Sequence, residues 1–192
     1  MLLGDVVDVA PRLLGSVLRN GAVAVRVTEV EAYDGPGDPG SHSHNGMTAR
    51  NAVMFGPPGR LYVYFTYGMH HCCNVVVGEA GTPSAVLLRA GEVVDGQDVA
   101  RERRPRSSDR DLARGPARLC RSLDLTRDQD GAGLSAEPLT LVPGLPVTTY
   151  EAGPRVGLRG APERPWRFWL PGEQTVSDYR PAAPLRPRPD PM

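Results

Sequence analysis

The chain has 192 residues, is 40% hydrophobic, and carries 22 basic against 22 acidic residues for a formal net charge of zero. That is enough for one domain with a substantial core, and too apolar for an intrinsically disordered chain. All 22 basic residues are arginine, which excludes a lysine Schiff-base mechanism, and no apolar run approaches the roughly 18 residues needed to span a bilayer.

Asp5 and Asp8 precede the first arginine, and Arg12 and Arg19 interrupt the apolar residues that follow. The N-terminus therefore does not read as a secretory signal, and a cytoplasmic place is expected. Residues 10–19, "APRLLGSVLR", predict a short helix with Pro11 in its first turn, Leu14, Val17 and Leu18 on one face, and Asn20-Gly21 as its end. Residues 22–33 alternate and predict a strand with Val23, Val25, Val27, Glu29, Glu31 and Tyr33 on one side. A Gly/Pro/Ser/His loop follows over 34–46.

"RLYVYF" (60–65) predicts a second strand, with Tyr62 and Tyr64 on one face and Leu61, Val63 and Phe65 on the other. "TYGM" reads as a turn, "HHCCNVVV" (70–77) as the returning strand, and "SAVLLRA" (84–90) as a further strand ending at Arg89. Residues 95–123 read as helical and arginine-rich, with a second helix starting at Pro116. Within them, residues 101–121 hold eight arginines against three acids, either a solvated helix face or a patch that meets phosphates. Short strands and turns are expected over 124–180, with "RPWRFWL" a late core strand; the tail from 181, "PAAPLRPRPDPM", is expected to be disordered. Strands that neighbour one another in sequence across short turns imply an α+β fold, a single domain over 1–180 with a curved antiparallel sheet surrounded by helices.

Glu31 is the most informative residue. Continuing the valine face would bury its carboxylate, which costs several kcal/mol unless the charge is paired and suits a general base. The plainer alternative is a strand that surfaces at Glu29, leaving both glutamates in water. Glu29 and Glu31 are about 6.6 Å apart along the strand, which overlaps the spacing of an inverting glycosidase, but both point the same way and would not flank a bond. "MHHCCN" (69–74) with His42 and His44 suggests zinc, yet adjacent strand residues face opposite ways, so no metal site is expected. Three cysteines, Cys72, Cys73 and Cys120, read as small, half-buried thiols. Tyr33, Tyr62, Tyr64, Tyr67 and His42 cluster near strand ends. Tyr67, in a turn beside Gly68, is a plausible wedge or stacking platform for a base.

The blocks "EVEAYDGPGD", "RNAVMFGPPGRLYVYFTYGMHHCCN", "AVLLRAGE", "GPARLCRSL" and "RVGL" occur in this order, and the chain resembles the 3-methyladenine (alkyladenine) DNA glycosylase family in its bacterial form over residues 5–180. The resemblance implies monofunctional hydrolysis of the N-glycosidic bond of damaged purines in double-stranded DNA. It implies a monomer near the nucleoid, with no cofactor and no membrane. It assigns Glu31 as general base and Arg89 as the arginine that helps hold that carboxylate and the water. Tyr33 becomes one wall of the base pocket, His42 and Tyr64 the opposite wall, and Asn74 the amide that obstructs normal guanine. Val156 gives a backbone contact near the water, Tyr67 enters the duplex, and Arg50 and Arg118 approach DNA. His70 stands where many relatives carry an aromatic residue, and His44 and the Cys72-Cys73 pair match no motif position. A catalytically weak lesion-binding protein and a sugar-directed glycosidase using Glu29 and Glu31 are the rival readings.

Overall fold

In the computed structural model of the protein, residues 1–66 and 68–183 are described. Tyr67, the expected intercalating residue, lies outside the described residues, as does most of the expected tail (184–192). The fold is α+β and is built on one curved, nine-stranded antiparallel sheet.

The first helical segment lies earlier than the sequence suggests. Helix α1 (Val6–Val9) starts on Asp5, whose carboxylate accepts the Val7 N–H at 2.8 Å, and continues as a 3-10 turn over Ala10–Leu13. The expected helix over 10–19 is thus wrong beyond Leu13. Val17–Asn20 form strand β1, paired with β2 (Val23–Tyr33) from Val17↔Arg26 to Asn20↔Val23. The Asn20-Gly21 pair, read as a helix stop, lies at this hairpin instead: Asn20 ends β1 opposite Val23, and Gly21, with a positive φ of 57°, opens the two-residue turn Gly21-Ala22.

Strands β3 (Leu61–Thr66), β4 (His70–Val76) and β5 (Ala85–Asp95) follow, then helices α2 (Gln97–Arg103) and α3 (Pro116–Leu123), with a short 3-10 turn between them. β5 runs on past Arg89, where the sequence reading ended it, to Asp95. The small strands β6 (Ser135–Ala136), β7 (Leu139–Val142), β8 (Glu151–Gly153) and β9 (Arg167–Trp169) complete the sheet. Its order is β3-β4-β5-β2-β1-β7-β6, with β9 on the second half of β2 and β8 on β9.

One face of the sheet is the hydrophobic core. Val6, Val9 and Leu13 from the N-terminal turns, Ala100 from α2, and Leu119, Cys120 and Leu123 from α3 pack there. On the strands the core takes Val23, Val25 and Val27 and then Val30 and Ala32 from β2. The alternation changes phase in between, because the ladder slips at Thr28: Val27 pairs with Gly91 and Glu29 with Ala90. A second slip leaves Arg89 as the extra residue on β5, since Glu29 pairs with Ala90 and Val30 with Leu88. These are β-bulges, each of which re-aims the side chains beyond it. Glu29, Glu31 and Tyr33 therefore do not share the face of Val23, Val25 and Val27, as the sequence pattern implied. They point to the opposite face. At the close approach of β2 and β5 stands Gly91, where a Cβ would run into the Arg26 carbonyl.

The arginine-rich segment serves mainly as internal strapping. Arg103 donates to the Ser122 carbonyl, Arg121 to the Arg103 carbonyl, and Arg104 to the carbonyls of Asp111 and Leu112, while Arg101 is paired with Asp98 and Asp109.

Candidate active site

The register places one row of residues across five strands. Arg167 on β9 pairs with Glu31 on β2, Glu31 with Leu87 on β5, Leu87 with Asn74 on β4, and Asn74 with Tyr62 on β3. Laterally paired residues project to the same side. A carboxylate, an amide and a phenol thus stand in line on the face away from the core. Two residues along each strand, Tyr33 and Tyr64 extend the same face.

Glu31 is fully buried, so the reading in which it surfaces into water fails. Its carboxylate is fixed from three sides. Tyr33 donates its hydroxyl to Oε2 at 2.8 Å, the Val156 backbone N–H donates to Oε1 at 2.7 Å, and Arg89 brings a guanidinium nitrogen to 3.6 Å of Oε1. Glu29 does not surface either. It is fully buried against Arg167, Arg89 and Ser177, three partners that local periodicity could not reveal.

Beside Glu31 lies a slot of about 100 Å³ lined by Tyr33, Gly40, His42, Met54, Tyr62, Asn74 and Leu158. Of the expected pocket residues, Tyr33, His42 and Asn74 line it directly. Tyr64 instead packs against His42, ring centroids 4.5 Å apart and nearly perpendicular, while Tyr62 takes the lining position. The Tyr62 hydroxyl and His42 Nδ1 share a 3.0 Å hydrogen bond, and Asn74 Nδ2 donates to the Tyr62 carbonyl at 3.2 Å. Burial is the main cause that raises the Tyr33 and Tyr64 phenols well above their ordinary value, with the Glu31 charge adding to Tyr33; burial pushes Tyr62 up to about 12. Burial, and then the Arg50 charge, lowers the His42 imidazole below its ordinary value. The rings around the slot are therefore neutral at pH 7.

The loop that carries His42 is held by Arg155, Asp38 and Asn51, which the sequence pattern did not single out, and by His44, which matched no motif position. Arg155, fully buried, donates to both Asp38 oxygens at 2.5 and 2.7 Å and to the Ala32 carbonyl at 2.9 Å. The same guanidinium lies over the Tyr33 ring at 4.7 Å and the Trp166 ring at 5.2 Å. Gly40 is a glycine because a Cβ there would meet Leu158 and the Arg155 guanidinium. Asn51 donates to the His42 carbonyl at 2.8 Å, and His44 donates from Nδ1 to the Pro36 carbonyl at 2.7 Å, which gives His44 a structural task.

The two expected DNA-facing arginines sit apart. Arg50 lies 5.6 Å over the Tyr64 ring and donates to the Phe65 carbonyl. Arg118 pairs with Asp111 at 3.2 Å and lines a second cavity, of about 210 Å³, whose walls include Arg89, Arg114, Val156, Asp178 and Arg180. Among the described residues, no helix is long and apolar enough to cross a membrane.

A buried, cation-held carboxylate, hydrogen-bonded to the tyrosine that lines a slot with neutral aromatic walls, is chemically suited to activate a water against a flat heterocycle bound in that slot. Comparison with known proteins shows the family of the chain. The family model described as methylpurine-DNA glycosylase matches residues 1–174. A protein of Streptomyces avermitilis, provisionally named a 3-methyladenine DNA glycosylase, is 54% identical over 194 residues, spanning 95% of this chain and 91% of its own. Proteins given the same provisional name in Nocardia farcinica and Burkholderia lata are 54% and 48% identical, covering 93% and 88% of this chain and 89% and 85% of theirs. With its family model matched over nearly all of its length and relatives this similar, the chain belongs to the methylpurine-DNA glycosylase family.

Proposed function

We propose that the protein flips alkylated purines out of double-stranded DNA and hydrolyses their N-glycosidic bond, leaving an abasic site. The substrate class is 3-methyladenine and 7-methylguanine, with hypoxanthine and ethenoadenine as further candidates, and the protein acts as a monomer. The observation that carries this reading is the Glu31 carboxylate, buried and fixed by Val156, Arg89 and the slot-lining Tyr33.

A base can react this way only outside the stack, at a cost of a few kcal/mol. In the slot it lies against Tyr33 on one side and His42 on the other. Both rings are neutral, and an alkylated purine bears a positive charge. A cation against an aromatic face gains about 0.5–2 kcal/mol, which favours damaged over normal bases. Asn74, anchored to the Tyr62 carbonyl, obstructs the amino group of normal guanine. Tyr33 and Val156 each take one acceptor site on a different Glu31 oxygen, so each oxygen keeps one site free. Water held there gives its proton to Glu31 as its oxygen bonds to the sugar C1′. The C–N bond breaks and its electron pair leaves with the purine. Without lysine the chain forms no side-chain Schiff base with the abasic product, as a monofunctional enzyme requires.

The test is to incubate the protein with duplexes that each carry one candidate lesion and to score alkali-labile strand breaks. Breaks at methylpurine sites support the reading. Retention of lesion duplex with no abasic product would favour a lesion-binding protein instead.

A further inference from the structure

Glu29 has no part in the scheme above, yet it is bonded more tightly than Glu31. Oε1 accepts Arg167 Nε at 2.6 Å and the Ser177 hydroxyl at 3.0 Å, and Oε2 accepts the Ser177 backbone N–H at 2.7 Å. Arg89 Nε lies 3.1 Å from Glu29 Oε1 and donates to Ser177 Oγ at 3.1 Å. The same guanidinium reaches Glu31 only at 3.6 Å. Arg89 is therefore shared unequally between the two carboxylates, and its closer bonds go to the Glu29 side.

The inequality matters because of what an untethered arginine would do. A guanidinium facing one carboxylate tends to dock both its forks on both oxygens. Docked so on Glu31, it would fill the two acceptor sites that Tyr33 and Val156 leave open. We propose that Glu29, together with the Ser177 hydroxyl, is a positioning device that tethers Arg89 by Nε and holds it off Glu31, so that the carboxylate keeps a free site for water. The bulge at Arg89 sets the side chain beside both glutamates. The tether also makes catalysis depend on the segment after β9, which supplies Ser177. This inference rests on Glu31 being the general base.

The experiment is a double-mutant cycle on single-turnover release of 3-methyladenine from duplex DNA methylated with dimethyl sulfate. Glu29→Gln is expected to slow release about 10-fold or more, with duplex affinity unchanged. In an Arg89→Ala background the same change should add nothing, because Glu29 acts through Arg89. Ser177→Ala, which removes one hydroxyl and keeps the buried charges, should slow release about two- to five-fold, and this effect too should vanish beside Arg89→Ala. If Glu29→Gln does not fold, the Ser177 arm decides alone. Effects that multiply with Arg89→Ala would overturn the tether and leave Glu29 a structural residue. Full release by Glu31→Gln would defeat the general-base reading itself; an inactive Glu31→Gln with multiplying effects defeats only the tether.

Discussion

The Tyr33 hydroxyl donates to Glu31 Oε2 at 2.8 Å, so the residue that lines the slot also holds the carboxylate proposed to activate water. On the proposed function, binding and chemistry are joined through one phenol. Tyr33→Phe keeps the ring and removes the bond. A hydrogen bond to a charged group contributes about 1.5–3 kcal/mol, so single-turnover excision should fall by about 10- to 100-fold. Affinity for lesion duplex should stay near wild type, and a loss confined to affinity would contradict the double role.

Asn74 is buried and anchored through Nδ2 to the Tyr62 carbonyl. Asn74→Ala would remove the obstruction proposed to exclude guanine's amino group. The variant should release normal guanine from undamaged DNA at a raised rate while still excising 3-methyladenine. Chromatography of the released bases measures both. Guanine release at the wild-type level would show that Asn74 is not the filter.

The Arg155–Asp38 pair is fully buried and clamps the His42 loop to the strand that carries Tyr33. Removing one partner of such a pair strands the other charge. Asp38→Asn is expected to cost about 3–5 kcal/mol of unfolding free energy, read by urea denaturation. Lesion affinity should fall with it, because the guanidinium over the Tyr33 ring loses its carboxylate anchor.

His42 gives a pH signature. Burial, then Arg50, lowers its folded value below the ordinary 6.5. The unfolded chain thus takes up a proton at a pH where the folded protein does not. His42's contribution to stability is complete above that ordinary value and is lost as pH falls toward the folded value. Melting curves of wild type and His42→Phe, compared over roughly pH 5 to 7, should converge or cross on the acid side, wild type losing more. Parallel curves would contradict the assignment. Protonation would also set a cation against the cationic base, so affinity for 3-methyladenine DNA should weaken over the same range in wild type alone.

The sequence carried part of this architecture and hid the rest for physical reasons. Strand β2 and the two faces of β3 were legible because alternation is a local signal, and Tyr62 and Tyr64 were seen to share a side. Alternation also misled. A bulge inserts a residue without any marker in the sequence, so Glu29 and Glu31 were placed with the valines when the slip at Thr28 turns them to the other face. The alternative that left Glu29 in water arose because its partners lie far along the chain: Arg167 is 138 residues away and Ser177 is 148. The Arg155–Asp38 clamp spans 117 residues and was invisible for the same reason. The chain reversal at Gly21 was seen and given to the wrong element, since a glycine at positive φ opens a hairpin turn as readily as it ends a helix.

The most direct test of the central claim is the single-turnover rate of Glu31→Gln on duplex DNA containing 3-methyladenine. The amide keeps the shape of the carboxylate and cannot take a proton from water, so excision should drop by about 100- to 10,000-fold while the duplex is still bound. Excision at a rate close to wild type would contradict the assignment of Glu31 as the general base.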